Sequence, residues 1–413
     1  MRRINRYIHQ LPGWPNFYWN QEALALLLAG VRLRQGRLMG RMESLGFSQR
    51  EEAMLQTLTQ DVVKTSEIEG EILNHELVRS SIARRLGMDI AGLLPADRRV
   101  DGVVEMTLEA TRNYDRPLTG KRLFRWHKML FPGAPLSIKA GASTLGASGS
   151  PAGTRSTAKS ASTLGASGSP AGTRSTAKSA WRDDAKGPMQ VVSGAIGRER
   201  VHYEAPFAAR LDHEMAAFLD WVNATGDIDP VLAAAKAHLW FVTIHPFNDG
   251  NGRIARAIAD WALARSENSS RRCYSMSAQI CRDRKEYYDI LERTQKGSLD
   301  ITGWMRWFLT CLDRALTGTE TLLAAVFEKD RFWKTHAQLA LNERQRLMLN
   351  KLLDGGFEGK LTSSKWAKLT KCSQDTAQRD ILELIKCGIL AKDSSGGRST
   401  NYSLRPREQD PRS

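Results

Sequence analysis

The chain has 413 residues, 41% hydrophobic and 25% charged, and 60 Lys and Arg against 45 Asp and Glu give a net charge of +15. At about 150 residues per domain it has room for two or three domains, each able to bury a core. No apolar run approaches the ~18 residues of a membrane span, and the basic start MRRINRYIHQLPGWP lacks the apolar stretch of a secretory signal. Five scattered cysteines without a CxxC exclude a disulfide frame and a zinc cluster and predict reduced thiols in a cytoplasmic protein. The positive charge makes nucleic acid or another polyanion a candidate partner.

Residues 20–130 are predicted to be helical. Ala23, Leu24, Leu26, Leu27 and Val31 share one helical face, and Met54, Leu55, Leu58, Val62 and Val63 share another. Residues 143–180 then repeat STLGASGSPAGTRSTAKSA twice without one change. Each copy has one Leu and no aromatic, too little apolar surface to offset ordering entropy, so this insert is expected to be disordered. Each copy also carries +2, so +4 of the net charge sits in the insert. Val191-Val192, then Ser193-Gly194, then Ile196 predict a β-hairpin near residues 189–203. Residues 207–265 and 277–325 return to helical spacing, and 342–404 form a separate pattern of three short helices and a Gly-rich turn.

The most informative stretch is HPFNDGNGRIAR, His245 to Arg256. An apolar helix over 234–244 must stop before Pro246. Turn chemistry follows in NDGNG, and a new helix starts at Arg253. The glycines let backbone N–H groups converge on an anion at that helix N-terminus. Arg253 and Arg256, three apart, suit phosphate oxygens. Asp249 is a hard oxygen ligand suited to Mg²⁺, and His245 is placed to take a proton from a hydroxyl. A calcium loop counted from Asp249 fails, because Ile254 stands where glycine is required. A zinc site fails for want of a second His or Cys at ligand spacing.

With these residues the segment resembles the motif HxFx(D/E)GNGRxxR of the Fic family, matching every fixed position. The resemblance implies a mainly α fold, a Fic-type helical core with a β-hairpin flap, here Met189–Val201. It implies transfer of AMP from ATP, with Mg²⁺, to a Ser, Thr or Tyr hydroxyl of a target protein. His245 would be the base and Asp249 would hold the metal. Gly250, Asn251, Gly252 and Arg253 would cradle the α- and β-phosphates, and Arg256 the γ-phosphate. Tyr287, Tyr288 and the flap's Val192 are the further ATP contacts expected. Upstream, Thr65-xxx-Glu69-Gly70 resembles the family's inhibitory helix, in which Glu69 would pair with Arg256 and keep the γ-phosphate from seating. LPGWPNFYW at Leu11–Trp19 resembles the N-terminal region of one bacterial subgroup.

The last module has an N-cap at Asn342 with Gln345 three residues on, and caps at Thr362 or Ser363 and at Ser373. A two-stranded wing follows, and the whole resembles a winged helix-turn-helix. Gln374, Thr376, Gln378 and Arg379 are the residue types that read DNA base edges. The expected organisation is an N-terminal helical region with the inhibitory motif over 1–115 and a Fic core over 116–142 and 181–325. The insert spans 143–180 and the winged helix 340–405. The expected function is an autoinhibited protein adenylyltransferase. AMP removal, another phosphate-linked transfer, or a DNA-binding regulator with a vestigial site are the alternatives, and a homodimer is left open.

Overall fold

The computed structural model describes residues 7–44, 46–88, 94–132, 143–144, 180–185, 187–193, 198, 200–224, 226, 228–353, 357, 359–393 and 400–405. The expectation of disorder over 143–180 therefore falls almost wholly outside the described residues. Helices dominate. They are α1 (Glu22–Ser44), α2 (Phe47–Ile68), α3 (His75–Leu86), α4 (Arg98–Arg112), α5 (Gly120–Leu130), α6 (Leu211–Asn223), α7 (Pro230–Ile244) and α8 (Asn251–Ser266). After these come α9 (Met276–Arg282), α10 (Arg284–Gln295), α11 (Thr302–Thr335), α12 (Glu343–Leu353), α13 (Ser363–Thr370) and α14 (Gln374–Lys386). The short strands are β1 (Ser143–Thr144), β2 (Gln190–Ser193), β3 (Arg200–Glu204), β4 (Leu390–Lys392) and β5 (Tyr402–Leu404). No helix among the described residues is long and apolar enough to cross a membrane, and the five cysteines are all free thiols.

The chain divides into two compact units, one of residues 1–43 and 54–317, the other of 44–53 and 318–413. The first is built around α7. Every residue of α7 from Val231 to Ile244 except Ala233 is buried, as expected of a helix that is apolar all round. Asp229 caps it by accepting from the Val231 amide at 2.8 Å, and Pro230 takes the first helical position, where a missing N–H costs nothing. α8 packs against α7, with Ile254, Ile258, Trp261 and Leu263 buried, and α4 and α5 also lie against it. The hairpin forms as expected. β2 pairs antiparallel with β3, and β3 runs three residues past Val201, to Glu204. Ser143–Thr144 pair in parallel with Val191–Val192.

The second unit has its own core of Met348, Leu349, Trp366, Ile381, Leu384, Leu390 and Tyr402. Three helices and the β4–β5 hairpin follow in the order the sequence predicts. Asn342 and Gln345 cap α12 reciprocally, each side chain accepting from the other's amide at 2.9 Å. Thr362, rather than Ser363, caps α13, and Ser373 caps α14. Gln374 and Arg379 of α14 are exposed. Gln378 is instead tied to the Tyr402 hydroxyl at 3.1 Å, and the Thr376 hydroxyl lies 2.9 Å from that of Ser373. Gln374 also donates to the Ser363 hydroxyl at 3.4 Å, so three of the four expected base-reading side chains are engaged inside the unit.

Candidate active site

α7 delivers His245. The helix ends there because Pro246 follows, and His245 turns into the left-handed region at φ 53°. A non-glycine residue held there costs about 1–3 kcal/mol. Arg182 restrains it. The guanidinium Nε donates to the His245 carbonyl at 2.8 Å, and the Arg182 amide donates to the Pro246 carbonyl at 2.9 Å. Asn251 closes the same loop by bracketing Phe247, accepting from its amide at 3.0 Å and donating to its carbonyl at 2.7 Å. Phe247 stacks on His127, ring centroids 4.5 Å apart. The side chain of Asn251, a residue expected to help cradle phosphate, is therefore committed to the loop.

His245 is 5% exposed. Its Nδ1 lies 3.2 Å from the Val242 carbonyl, which can only accept, so Nδ1 carries the proton and Nε2 keeps a lone pair. Nε2 is buried and makes no hydrogen bond among the described residues. Burial, with help from the Arg182 charge, lowers the imidazole pKa to about 4, so the ring is neutral around pH 7. It opens on a cavity lined also by Glu69, Gly252, Val191, Tyr287 and Tyr288. Val191 lines it in place of Val192, whose side chain is buried. Tyr287 is 1% exposed and its hydroxyl meets His238 Nε2 at 2.9 Å.

The opposite wall comes from α2. Gly70 at φ 84° ends that helix, the Glu71 amide reaches back to the Ser66 carbonyl at 3.0 Å, and the Gly70 amide to that of Glu67 at 3.0 Å. This is a Schellman closure with glycine at its left-handed position. It aims Glu69 and Glu71 at α8. Glu69 Oε1 accepts from Arg256 Nη2 at 2.7 Å, while Arg256 also donates to the Thr65 hydroxyl at 2.7 Å and the Thr65 carbonyl at 2.9 Å. Burial works against the Arg256 charge, but Glu69 together with Tyr287 and Tyr288 outweighs it and the pKa rises. A Cβ on Gly252 would crowd Glu69 Oε1, so the carboxylate would have to shift on Arg256 to admit a side chain. Glu71 Oε2 takes Arg253 Nη1 at 2.9 Å.

At this site two cationic donors are buried without a hydrogen-bond partner among the described residues, Arg253 Nε and Arg256 Nη1. With Gly250 at φ 81° opening the α8 N-terminus, they fit an anion. Asp249 is exposed and one of its oxygens accepts from the Gly250 amide at 2.6 Å. No group of three or more His, Cys, Asp or Glu side chains disposed to hold a metal occurs among the described residues. A single carboxylate suits Mg²⁺ that arrives with phosphate and keeps its waters.

Residues 167–263 match the Fic/DOC family, and residues 7–88 match a domain of unknown function, DUF4172. The chain is 33% identical over 115 residues to a protein adenylyltransferase Fic of Nematostella vectensis, covering 27% of this chain and 25% of that protein. It is 36% identical over 104 residues to a protein of the same name from Culex quinquefasciatus, covering 25% and 19%. The match thus spans about a quarter or less of these relatives' length. Among solved structures, a Fic family protein from Desulfovibrio desulfuricans G20 aligns over 95% of this chain and 99% of its own, at 20% identity and a TM-score of 0.48. Fic-1 from C. elegans aligns over 73% and 72%, at 17% identity and a TM-score of 0.43.

Proposed function

We propose that this chain, which carries a Fic domain, is a protein adenylyltransferase. It moves AMP from ATP to a Ser, Thr or Tyr hydroxyl of a target protein, and Glu69 holds the site off. The observation that carries this reading is His245 Nε2, a buried, neutral, unpartnered lone pair in the wall of the cavity that Glu69 shares. In the proposed step His245 Nε2 takes the hydroxyl proton while the oxygen bonds to the α-phosphorus. The bond to the β-phosphate breaks and pyrophosphate leaves. The α8 N-terminus and Arg253 stabilise the charge that develops on the phosphates. Mg²⁺ bound through Asp249 would neutralise phosphate charge.

Glu69 supports the inhibitory half of the reading. A carboxylate 2.7 Å from Arg256 takes the charge partner that a terminal phosphate needs. The test is mass spectrometry of the full chain after incubation with ATP and Mg²⁺, for the parent and for Glu69→Gly. An AMP adduct on the chain or on an added acceptor, stronger in the variant, is expected. Hydrolysed nucleotide with no adduct in either protein would overturn the assignment.

A further inference from the structure

The flap carries a second set of reactive groups that this mechanism does not use. Ser193 Oγ, at the end of β2, lies 2.5 Å from His202 Nε2. His202 Nδ1 lies 2.6 Å from Glu292 Oε2, contributed by α10. A carboxylate only accepts, so Nδ1 carries the proton, and Nε2 is left to accept from the serine hydroxyl. Nucleophile, base and orienting carboxylate are thus in hydrogen-bond sequence, the arrangement that activates a serine.

The fold goes out of its way to make this contact. Val191 pairs with Tyr203 but Val192 pairs with Val201, so the ladder skips His202. His202 is the extra residue of a β-bulge, a device that re-aims a side chain. Glu292 is fixed from its other oxygen, where Oε1 receives Lys296 Nζ at 2.7 Å and Arg200 Nη2 at 3.0 Å. Burial would raise the Glu292 pKa, but the bonds from Lys296, His202 and Arg200 bring it to about 2, so it stays ionised. His202 and Glu292 both line the cavity that His245 and Glu69 line.

We propose that Ser193 is an acceptor hydroxyl built into the chain, activated by His202 and Glu292, and that the protein attaches AMP to its own flap. This rests on the reading above for its source of AMP. Ser193 Oγ bonds to the α-phosphorus of ATP, its proton passes to His202 Nε2, the bond to the β-phosphate breaks, and pyrophosphate leaves. His202 is then a second base in the same cavity, serving the internal acceptor while His245 serves the external one.

Cleavage after Lys186 and Arg198 gives the peptide GPMQVVSGAIGR, in which Ser193 is the one hydroxyl residue, so an adduct there is located without ambiguity. The full chain carrying Glu69→Gly is incubated with ATP and Mg²⁺ and digested. AMP on this peptide is expected. It should be lost in Ser193→Ala and kept in Ser193→Thr. In His202→Gln it should fall at least ~10-fold relative to AMP on all other peptides of the same digest, the loss of a general base. AMP on other peptides with this one unmodified overturns the proposal and leaves the adenylyltransferase reading intact. AMP nowhere defeats that reading, and a fluorophosphonate probe, which needs no nucleotide, then decides for Ser193. Labelling of the peptide in the parent and not in Ser193→Ala upholds the activated serine, and no labelling overturns it.

Discussion

Glu71 Oε2 sits 2.9 Å from Arg253 Nη1, two residues beyond the carboxylate that engages Arg256. One Schellman turn therefore neutralises both arginines of the loop. Arg253 is 7% exposed and lies over the Phe131 ring, whereas the Glu71 side chain is 31% exposed. The pair is partly screened, and its removal should be felt as binding rather than as chemistry. We expect Glu71→Gln to lower the KM for ATP by roughly 3–10-fold with kcat little changed. Steady-state kinetics on the Glu69→Gly background checks this, and an unchanged KM would mean that Arg253 does not meet the nucleotide.

Glu69→Gly should raise self-modification with labelled ATP by about 10²-fold, since a ~1 Å misplacement of the reacting phosphate costs that much. Adding Arg256→Ala should remove the gain, because the freed guanidinium is what seats the phosphate. Equal activity of parent and Glu69→Gly, with both proteins folded, would sink autoinhibition.

The loop from His245 to Arg256 was legible because its parts are local. The cap of one helix, the turn and the first turn of the next helix lie within twelve residues, and each residue type has its own chemical reason. Glu69 was legible only as a pattern far upstream, and its 2.7 Å bond to Arg256 spans 187 residues. Arg182 was not legible. It lies just after a low-complexity insert, its partner His245 is 63 residues on, and nothing in a lone Trp-Arg pair signals a buried brace. Val191 rather than Val192 lines the cavity with His245, and a bulge shifts the register between the two. Asn251 was expected at a phosphate from the family resemblance and Gln378 at a base edge from its type, and the fold uses their side chains to close a loop and to fasten a tyrosine.

His245→Ala should reduce transfer to an added acceptor by ~10²–10⁴-fold while ATP still binds, because base and phosphate cradle belong to different residues. Calorimetric titration with ATP on the Glu69→Gly background separates the two. Lost binding would place His245 in the cradle rather than at the acceptor.

Deleting residues 162–180 should leave thermal stability and ATP binding unchanged. The two copies are identical, so removing either gives the same sequence and creates no new junction. A Tm shift of more than about 2 °C would show that the second copy packs on the first unit.

Stability should fall as pH drops from about 6.5 toward 4. Burial is the leading cause that lowers His9 to about 4, His238 to about 3 and His245 to about 4. Arg210 and Arg182 add to the effect at His9, and Arg256 at His238. In the unfolded chain each returns to about 6.5. Between those values the unfolded state binds more protons than the folded one, so unfolding is favoured as pH falls. The stabilisation is fully present above pH 6.5 and is lost toward the folded values. Each histidine adds up to ~1.4 kcal/mol per pH unit in that window. His9 offers the cleanest check, since it lies outside the loop and its Nδ1 bonds to the Tyr203 hydroxyl at 3.0 Å. His9→Gln can keep that bond without titrating. Its Tm should fall less steeply than the parent's between pH 6.5 and 5, and parallel curves would show that His9 does not stay neutral in the folded protein.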